Sequence, residues 1–371
     1  MNNKGIFRDQ IISNFDWVIF GLTIVISVVG IFTIYSTGGS GGEPSRIYIK
    51  QIYWILYGLM AMLLILFIDY HSLEKLAYIL YFLIIIVLIM VAVSGKTVSG
   101  ARRWLSFAQI TFQPSELAKI VIIITLARYF DDKKIRGLYR IRDLITPAVI
   151  VLIPAVLIAK QPDLGTAVVI FFIFISMSFL IGINIRSLFI LAGSAIISLP
   201  FLWHFMKDYQ RNRILTLINP QADPLGSGYH IIQSKIAIGS GGYMGKGFMS
   251  GTQSQLNFLP EKHTDFIFSV FAEEMGFIGA LLLIALYVII IIKGIDVVYH
   301  ARDRSGSLMA GGVVSMLAFH MIFNIGMTTG MFPVVGIPLP LMSYGGSYLV
   351  TTFISIGLLL NIKMRRFVDM R

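Results

Sequence analysis

The chain has 371 residues, of which 56% are hydrophobic and only 13% are charged, and its mean hydropathy is +0.81. A soluble domain carries about 25% charged residues, so this composition excludes an ordinary soluble protein. The lack of cysteine excludes disulfides and thiol chemistry, and the net charge of +11 is not gathered into a basic stripe with interleaved aromatics, so we expect no nucleic-acid partner.

Ten apolar segments follow one another along the chain, and each approaches the roughly 20 residues that a helix needs to cross a bilayer. They lie at residues 15–36, 48–68, 76–94, 113–130, 144–160, 164–182, 187–206, 266–292, 308–331 and 344–362. No small-residue cleavage site follows the first segment, so we expect a span and not a signal peptide. The sequence therefore predicts an all-α polytopic membrane protein with ten transmembrane helices in one domain, residues 1–371.

Basic residues predict the orientation of these helices. With the N-terminus in the cytoplasm, the cytoplasmic segments carry seventeen Lys and Arg residues, against about six in the short loops of the other side. Such an excess marks the cytoplasmic side of a membrane protein. We therefore expect both termini in the cytoplasm.

The connection between the third and fourth spans, "SGKTVSGARRWLSFAQITFQPSE", carries Arg103 and Trp104. Cationic and aromatic residues of this kind are typical of a membrane interface. Glu116 and Lys119 follow at a spacing of three, which places them on one face of the fourth helix. A charge at the centre of a membrane helix costs about 2.5–3.5 kcal/mol, so such residues are usually paired or functional.

Asp163, in "QPDLGT" before the sixth span, joins Glu116 and Lys119 in two alternative interpretations. In the first, Glu116 and Lys119 form a buried ion pair and Asp163 caps the sixth helix. In the second, the three groups line a charged cavity that holds an anionic head group. The sequence alone leaves both open.

Residues 207–265 are predicted to form a large extracytoplasmic loop between helices 7 and 8. Its aromatic and branched residues predict a folded segment and not a disordered one, and "YHIIQSKIAIG" predicts a short amphipathic helix. The stretch "GSGGYMGKGFMSG" departs from the P-loop pattern at two positions. It is either a tight turn or a glycine nest that holds phosphate oxygens with Lys246, while Arg211 and Arg213 add positive charge on the same side.

A charged cluster, "LPEKHTDFIFS", stands directly before the eighth span. In one interpretation His263 or Thr264 caps the helix. In another, Asp265 lies at the helix N-terminus, whose dipole keeps it ionised, and acts as a base towards a membrane-anchored substrate. Glu261, His263 and Asp265 also offer metal ligands, but their spacing matches no metal motif.

The connection before the tenth span, "FPVVGIPLPLMSYGGS", holds three prolines and three glycines, which no regular helix accommodates. Irregular backbone at a membrane is tolerated where protein covers it or where it lines a wet cavity. We therefore expect this connection to be buried or to face a cavity.

Eight motifs, in chain order, resemble those of the SEDS family, which comprises the FtsW, RodA and SpoVE proteins. They are "GARRWL", "QPSELAK", "QPDLGT", "DYQRNRI", "DPLGSGYHIIQSKIAIGSGG", "GTQSQLNFLPEKHTDFIF", "AEEMGFIG" and "PVVGIPLPLMSYGGS". The resemblance runs from about residue 15 to residue 362. Arg102 departs from it, since many relatives have Gln there, and its role alone is put in doubt.

This resemblance implies a peptidoglycan glycosyltransferase with ten helices in the bacterial cytoplasmic (inner) membrane. Members polymerise lipid II, a disaccharide-pentapeptide on undecaprenyl diphosphate, on the outer face of that membrane. The implied partners are a class B penicillin-binding protein, the elongation machinery and membrane lipids. The family's essential aspartate matches Asp265. The other matches are positions regarded as lining the family's central cavity: Arg103, Trp104, Glu116, Lys119 and Asp163.

The chemistry of lipid II agrees with these residues. A diphosphate leaves readily, so the reaction needs a base for the attacking hydroxyl and cations for the leaving group, but no acid. We expect Asp265 to be that base, with inversion at the donor carbon and with His263 beside it at the substrate. The candidate cations, unranked, are Arg103, Lys119, Arg211, Lys246 and a divalent ion, Mg²⁺ or Mn²⁺. No organic cofactor is expected.

Three alternatives stay open at this stage. A lipid II flippase would also need a charged cavity, but with a path to both faces and no base. A division-specific polymerase of the same family shares most of the motifs, although "NFLPEKHTDFIF" and "AEEMGFIG" favour the elongation branch. A non-catalytic scaffold would tolerate changes at Asp265.

Overall fold

The computed structural model describes residues 14–38, 46–98, 101–107, 110–133, 137–187, 206–223, 226–259 and 261–366, with single residues between these ranges. Most of the described chain is helical. The helices are α1 Trp17–Ser36, α2 Ile47–Phe67, α3 Tyr70–Lys75, α4 Ala77–Ser94, α5 Pro114–Asp132, α6 Ile141–Lys160, α7 Leu164–Leu180, α8 Asp208–Ile218, α9 Ser227–Ser240, α10 Thr252–Gln255, α11 Ile267–His300, α12 Arg304–Thr328 and α13 Gly346–Met364.

Nine of the ten predicted spans coincide with helices. Seven of these helices, α1, α2, α4, α6, α11, α12 and α13, are both long and apolar enough to cross a membrane. α7 is apolar but has only 17 residues, and α5 carries several charges. The remaining predicted span, residues 187–206, lies mostly outside the described residues. The structure is therefore that of a mainly helical protein with several apolar spans.

α13 is the most deeply buried of the apolar spans and packs against α2 and α12. Gly58 permits the close approach of α2, because a Cβ at this position would lie 2.5 Å from the ring of Phe353. Small residues serve this purpose in membrane bundles, where backbones gain dispersion energy by approaching closely. At the other end of the contact, Asn361 Nδ2 donates to the carbonyls of Ile65 and Ile68, both at 2.6 Å.

A small antiparallel sheet, which the all-α prediction missed, joins α4 to α5. Its strands are β1 Lys96–Val98, β2 Ala101–Phe107 and β3 Ile110–Phe112, with β2 in the centre. Lys96 pairs with Trp104, and Leu105 pairs with Phe112. The ladder satisfies backbone groups that a connection near a membrane cannot leave unpaired. β1 and β3 have only three residues each, too few to show the alternation by which a strand is predicted.

The long loop between the predicted seventh and eighth spans is folded, as its composition predicted. It contains α8, a 3₁₀ turn at Pro220–Ala222, α9 and α10, and the predicted helix "YHIIQSKIAIG" lies within α9. Ser234 of α9 ties the loop to the bundle. Its hydroxyl lies 2.7 Å from that of Ser269 on α11 and donates to the carbonyl of Thr328 at 2.6 Å.

α11 is broken at Gly276, whose φ of 67° lies in the left-handed region that favours glycine. The break frees backbone groups, and the glycine-rich segment 242–247 pairs with them. The amide of Phe277 donates to the carbonyl of Gly242 at 2.9 Å, and the amide of Lys246 donates to the carbonyl of Glu273 at 3.0 Å. The glycine-rich segment is therefore a tight turn that makes hydrogen bonds to the backbone groups left free by the break in α11.

Candidate functional site

A cavity of about 530 Å³ opens where four helices begin, and we call it the central cavity. The start of α5 lines it with Gln113 and Glu116, and the start of α7 lines it with Gly165 and Thr166. The segment before α11 contributes Asp265, and the start of α13 contributes Gly346. The N-terminus of a helix carries partial positive charge and exposed amides. The convergence of four such ends makes the cavity suited to a negatively charged group.

The proline- and glycine-rich connection before α13 forms one wall of this cavity. Val335, Gly336, Ile337 and Pro338 all line it. The prediction that this irregular backbone is buried or faces a cavity is therefore confirmed. Gly336 has a φ of 74°, and a Cβ there would lie 3.5 Å from Asp265 Oδ2. Glycine thus keeps open the space beside that carboxylate.

The structure brings together five of the predicted site residues. Arg103, Trp104, Glu116, Asp163 and Asp265 line the central cavity. Their elements are far apart in the chain, and only the packing of the bundle brings them together.

Asp163 is both a helix cap and a cavity residue, so the two interpretations of the sequence are compatible. Its Oδ1 accepts from the amide of Thr166 at 3.3 Å. Its Oδ2 accepts from Gln113 Nε2 at 2.9 Å and from Ser115 Oγ at 3.2 Å. This buried carboxylate is fully engaged and fixes the start of α5 against the start of α7.

Arg103 is held beside Asp163 by backbone carbonyls. Its Nε donates to the carbonyl of Gln161 at 3.1 Å, its Nη2 donates to that of Pro162, and its Nη1 lies 3.9 Å from Asp163 Oδ1. A guanidinium with its fork oriented in this way presents a fixed positive charge to the cavity.

Glu116 and Lys119 form the predicted buried ion pair, with Lys119 Nζ 2.8 Å from Glu116 Oε2. The lysine lies behind the cavity wall, since its side chain is only 1% exposed. Lys119 Nζ also lies 3.2 Å from His320 Nε2. On its other edge, His320 Nδ1 lies 3.2 Å from the hydroxyl of Tyr348. Glu116, His320 and Tyr348 reach the cavity, so Lys119 acts on it through them.

Asp265 is held by its backbone, and its carboxylate accepts no hydrogen bond from the described residues. Its carbonyl accepts from Asn324 Nδ2 at 3.0 Å. The preceding carbonyl, of Thr264, accepts from Ser343 Oγ at 2.6 Å. The carboxylate is reachable from the cavity but is otherwise surrounded by protein. This burial, reinforced by the negative charge of Glu261, raises the pKa of Asp265 to about 6.

Asp265 lies two residues before α11 and does not cap it. α11 begins at Ile267 after Phe266, and no side chain caps it. Thr264, a predicted cap, instead donates to the carbonyl of Glu261 at 3.2 Å. Burial and the charge of Glu261 raise the pKa of Asp265. A carboxylate with a pKa of about 6 is still mostly ionised at pH 7, and a value near the working pH suits a general base.

Besides Lys119, three predicted substrate-binding residues do not line the central cavity. Lys246 Nζ lies 2.7 Å from Glu273 Oε1, because the glycine-rich turn delivers it to that buried carboxylate. Arg211 donates to the carbonyls of Trp203 at 3.0 Å and His204 at 2.8 Å. His263 packs edge-on against Tyr344 at 5.8 Å. In the described turn the amides of Gly242, Gly245, Lys246 and Gly247 already donate to backbone carbonyls, so these four are not available to hold phosphate.

Arg213 does line the cavity, whereas Arg211, the arginine of this motif that was expected to bind substrate, does not. Both belong to "DYQRNRI", so the basic character of the motif was a correct signal. Residues two apart on a helix do not share a face. Only the orientation of α8 decides which arginine points inward.

The described residues do not fit a protein-made metal site. No group of three His, Asp or Glu side chains converges in the described ranges in a way that could hold a metal ion. We therefore derive no step through a metal.

Known proteins with similar sequences belong to one family. The family model of the FtsW/RodA/SpoVE cell cycle proteins matches residues 10–367. Peptidoglycan glycosyltransferase MrdB of Escherichia coli (strain K12) is 44% identical over 288 residues, which are 75% of this chain and 75% of that protein. Peptidoglycan glycosyltransferase RodA of Treponema pallidum is 33% identical, with 96% of this chain and 99% of that protein covered.

Solved structures give the same result. A chain from "Structural coordination of polymerization and crosslinking by a peptidoglycan synthase complex" is 34% identical, with a TM-score of 0.82 over 96% of this chain and 99% of that one. The rod shape determining protein RodA of Thermus thermophilus is 28% identical, with a TM-score of 0.72 over 96% and 98% of the two chains. With its sequence matched nearly end to end and its fold shared, this chain belongs to the FtsW/RodA/SpoVE family.

Proposed function

We propose that this protein is a peptidoglycan glycosyltransferase of the RodA type, which polymerises lipid II into glycan strands during cell elongation. One observation carries the proposal. Asp265, a carboxylate with a raised pKa and no hydrogen-bond partner among the described residues, borders a cavity where four helix N-termini converge. A base next to an anion-binding region is what transfer from a sugar diphosphate requires. The names of the relatives support this activity.

In the proposed reaction, Asp265 takes the proton of the 4-hydroxyl of the acceptor N-acetylglucosamine. The oxygen then forms a bond to the anomeric carbon of the donor as the bond from that carbon to the diphosphate breaks. The undecaprenyl diphosphate leaves with the electron pair, and the proton stays on Asp265 until solvent removes it. A single displacement inverts the α-linked donor and gives a β-1,4 bond.

The departing diphosphate is stabilised by positive charge on the cavity wall. Arg103 and Arg213 line the cavity, and the four helix N-termini add oriented amides. Lys119 supplies no direct contact in this scheme, since it lies behind the wall and offsets the charge of Glu116. A requirement for Mg²⁺ or Mn²⁺ stays a prediction, to be measured by chelation and metal add-back.

The membrane arrangement is part of the proposal. Ten spans with both termini in the cytoplasm would place the long loop, the central cavity and Asp265 on the outer face of the bacterial inner membrane. Lipid II presents its sugars on that face. A structural relative belongs to a complex that coordinates polymerization and crosslinking, which supports a class B penicillin-binding protein as the partner.

The test is polymerisation of labelled lipid II by the purified protein in liposomes without an ion gradient. We expect glycan ladders from the wild type and a loss of about 100-fold or more with Asp265→Asn, the range for removal of a general base. Asp208→Asn, an exposed carboxylate on α8, is the matched control and should polymerise normally.

Translocation of lipid II without polymer would support a flippase instead. A wild type that forms no ladder, or an Asp265→Asn protein that polymerises at the normal rate, would contradict the proposal.

A further inference from the structure

A second cavity, of about 370 Å³, adjoins the central one, and we call it the loop cavity. α8 contributes Asn212 and Arg213 to it, α9 contributes His230, and the segment before α11 contributes Glu261 and Asp265. Its volume falls in the range of about 300–1,000 Å³ that is usual for small-molecule sites. The mechanism described above gives it no role.

The two cavities meet at Asp265, the proposed general base. Arg213, Glu261 and Asp265 line both of them. A polymerase must hold two sugars at once, one that carries the attacking hydroxyl and one that carries the leaving diphosphate. The base has to contact the first while the cations contact the second. Two cavities that share one carboxylate provide that arrangement.

The loop cavity is lined largely by the long loop and lies beyond the ends of the membrane helices. Asn212, Arg213, Asp223, Gly226 and His230 come from α8, α9 and the connection between them, whereas Phe266 and Val334 come from the segments directly before α11 and before α13. A diphosphate on a prenyl chain is held close to the bilayer by its tail. The terminal N-acetylglucosamine of lipid II is separated from that phosphate by a whole sugar ring, so it can extend into the long loop.

Charge separates the two cavities in the same sense. The described lining of the loop cavity holds the carboxylates of Asp223, Glu261 and Asp265, and Arg213 is its one permanent cation. Burial lowers the pKa of His230, so this imidazole is neutral at pH 7. Such a lining disfavours a diphosphate. The central cavity shares Arg213, Glu261 and Asp265 with the loop cavity, but it adds the cation of Arg103, and its other two carboxylates, Asp163 and Glu116, are each offset by a basic partner.

The same lining suits an uncharged sugar. Carboxylates accept hydrogen bonds from hydroxyls, the Asn212 amide both donates and accepts, and a neutral imidazole does the same with its two nitrogens. His230 stacks on Phe266 with ring centroids 5.8 Å apart and planes 22° apart. The pair offers a rigid flat surface, with polar groups at its edge, to one face of a ring.

We propose that the loop cavity binds the acceptor's terminal amino-sugar ring, the ring that carries the attacking hydroxyl, while the central cavity holds the sugar diphosphate that is cleaved. This assignment rests on the proposed glycosyltransferase function. It makes Asn212 and His230 acceptor-binding residues, and it makes Asp265 the contact between the two sites.

The test uses two lipid II analogues that are each limited to one role. Methylation of the N-acetylglucosamine 4-hydroxyl leaves a molecule that can only donate. Replacement of the anomeric oxygen by a methylene group leaves one that can only accept. Together they give one tetrasaccharide and no longer polymer, so the KM of each role is measured separately.

We expect Asn212→Ala and His230→Ala each to raise the KM for the acceptor-only analogue about tenfold, the loss expected for one hydrogen bond. The KM for the donor-only analogue should stay within about twofold. Asn212 is exposed, so its truncation leaves the packing intact. Asn219→Ala, at the exposed end of α8 and outside both linings, is the matched control and should change neither KM.

His230→Phe separates binding from packing, because it keeps the stacked ring and removes both nitrogens. We expect it to behave like His230→Ala in the KM for the acceptor. A rise in the KM for the donor-only analogue, or no change in either KM with Asn212→Ala and His230→Phe, overturns the assignment. A wild type that makes no tetrasaccharide instead contradicts the proposed function, so the two failures are distinguishable.

Discussion

The two sides of the central cavity differ in how their charges are held. On the α5 and α7 side, Glu116 pairs with Lys119, and Asp163 faces Arg103 and accepts four further hydrogen bonds. On the α11 side, the Asp265 carboxylate has no such partner among the described residues, and its pKa is raised to about 6. This difference indicates that the paired charges hold the helices of the site in place, whereas the Asp265 carboxylate, which accepts no hydrogen bond from the described residues, is available for chemistry.

The largest expected effect separates activity from stability at Asp265. Because the pKa of Asp265 is raised in the folded protein, the protonated carboxyl stabilises the fold. This stabilisation is lost as pH rises through about 6, so the ionised carboxylate at pH 7 destabilises the fold. Asp265→Asn should therefore polymerise about 100-fold or more slowly and yet unfold at the same or a higher temperature. Polymer yield measures the activity, and thermal unfolding in detergent measures the stability. A clear drop in the unfolding temperature would show that Asp265 is a structural residue.

On the paired side the same kind of change should cost stability. Lys119→Met leaves Glu116 buried without its cation, and breaking a buried pair in this way costs about 3–5 kcal/mol. We expect a lower unfolding temperature together with lost activity. The double variant Glu116→Gln/Lys119→Met removes both charges and should recover most of the stability. If the single variant is as stable as the wild type, the pair is not structural.

Lys246 extends the comparison to a charge pair outside the cavity. Lys246→Met removes a 2.7 Å contact to the fully buried Glu273, and hydrogen bonds to charged groups contribute about 1.5–3 kcal/mol. Thermal unfolding should detect this loss, while the KM for lipid II should stay near that of the wild type in the folded fraction. A large rise in that KM would indicate that Lys246 binds the substrate after all.

Gly336 probes the space that Asp265 needs. Gly336→Ala would place a Cβ 3.5 Å from Asp265 Oδ2 at a φ of 74°, where a non-glycine residue costs about 1–2 kcal/mol. We expect stability to fall by about that amount. Because the added methyl group also occupies space beside the carboxylate, activity in the folded fraction should fall as well, by up to roughly tenfold. Gly137→Ala, at a φ of 104° with open space around it, is the control for backbone strain alone. Equal activity losses in both variants would contradict a specific role for Gly336.

The smallest expected effect is on the pH profile. Activity should fall as pH drops through about 6, because protonation removes the base. The carboxylate of Glu261 raises the pKa of Asp265, so Glu261→Gln should move this acid limb to lower pH, by less than about one unit. The Gln side chain can still accept from Thr264, which now donates to Glu261 Oε2 at 3.1 Å. A shift to higher pH would exclude this coupling.

The sequence by itself determined the features that depend on local pattern. Hydropathy located nine of the described helices, because a bilayer demands apolar runs of about 20 residues. Eight agree with the prediction to within about four residues at each end, and α11 continues to His300, beyond the predicted end at residue 292. Motifs located the Glu116–Lys119 pair, which needs only helical spacing. The prolines before α13 were enough to exclude a helix there.

Only the tertiary structure decided which groups share a site. Lys246 meets Glu273, 27 positions away, and Lys119 meets His320, 201 positions away. No local pattern encodes such distances. The choice of Arg213 over Arg211 depends on the rotation of α8, and the raised pKa of Asp265 depends on the protein packed around it. Desolvation and charge pairing are properties of a three-dimensional neighbourhood, which sequence order does not specify.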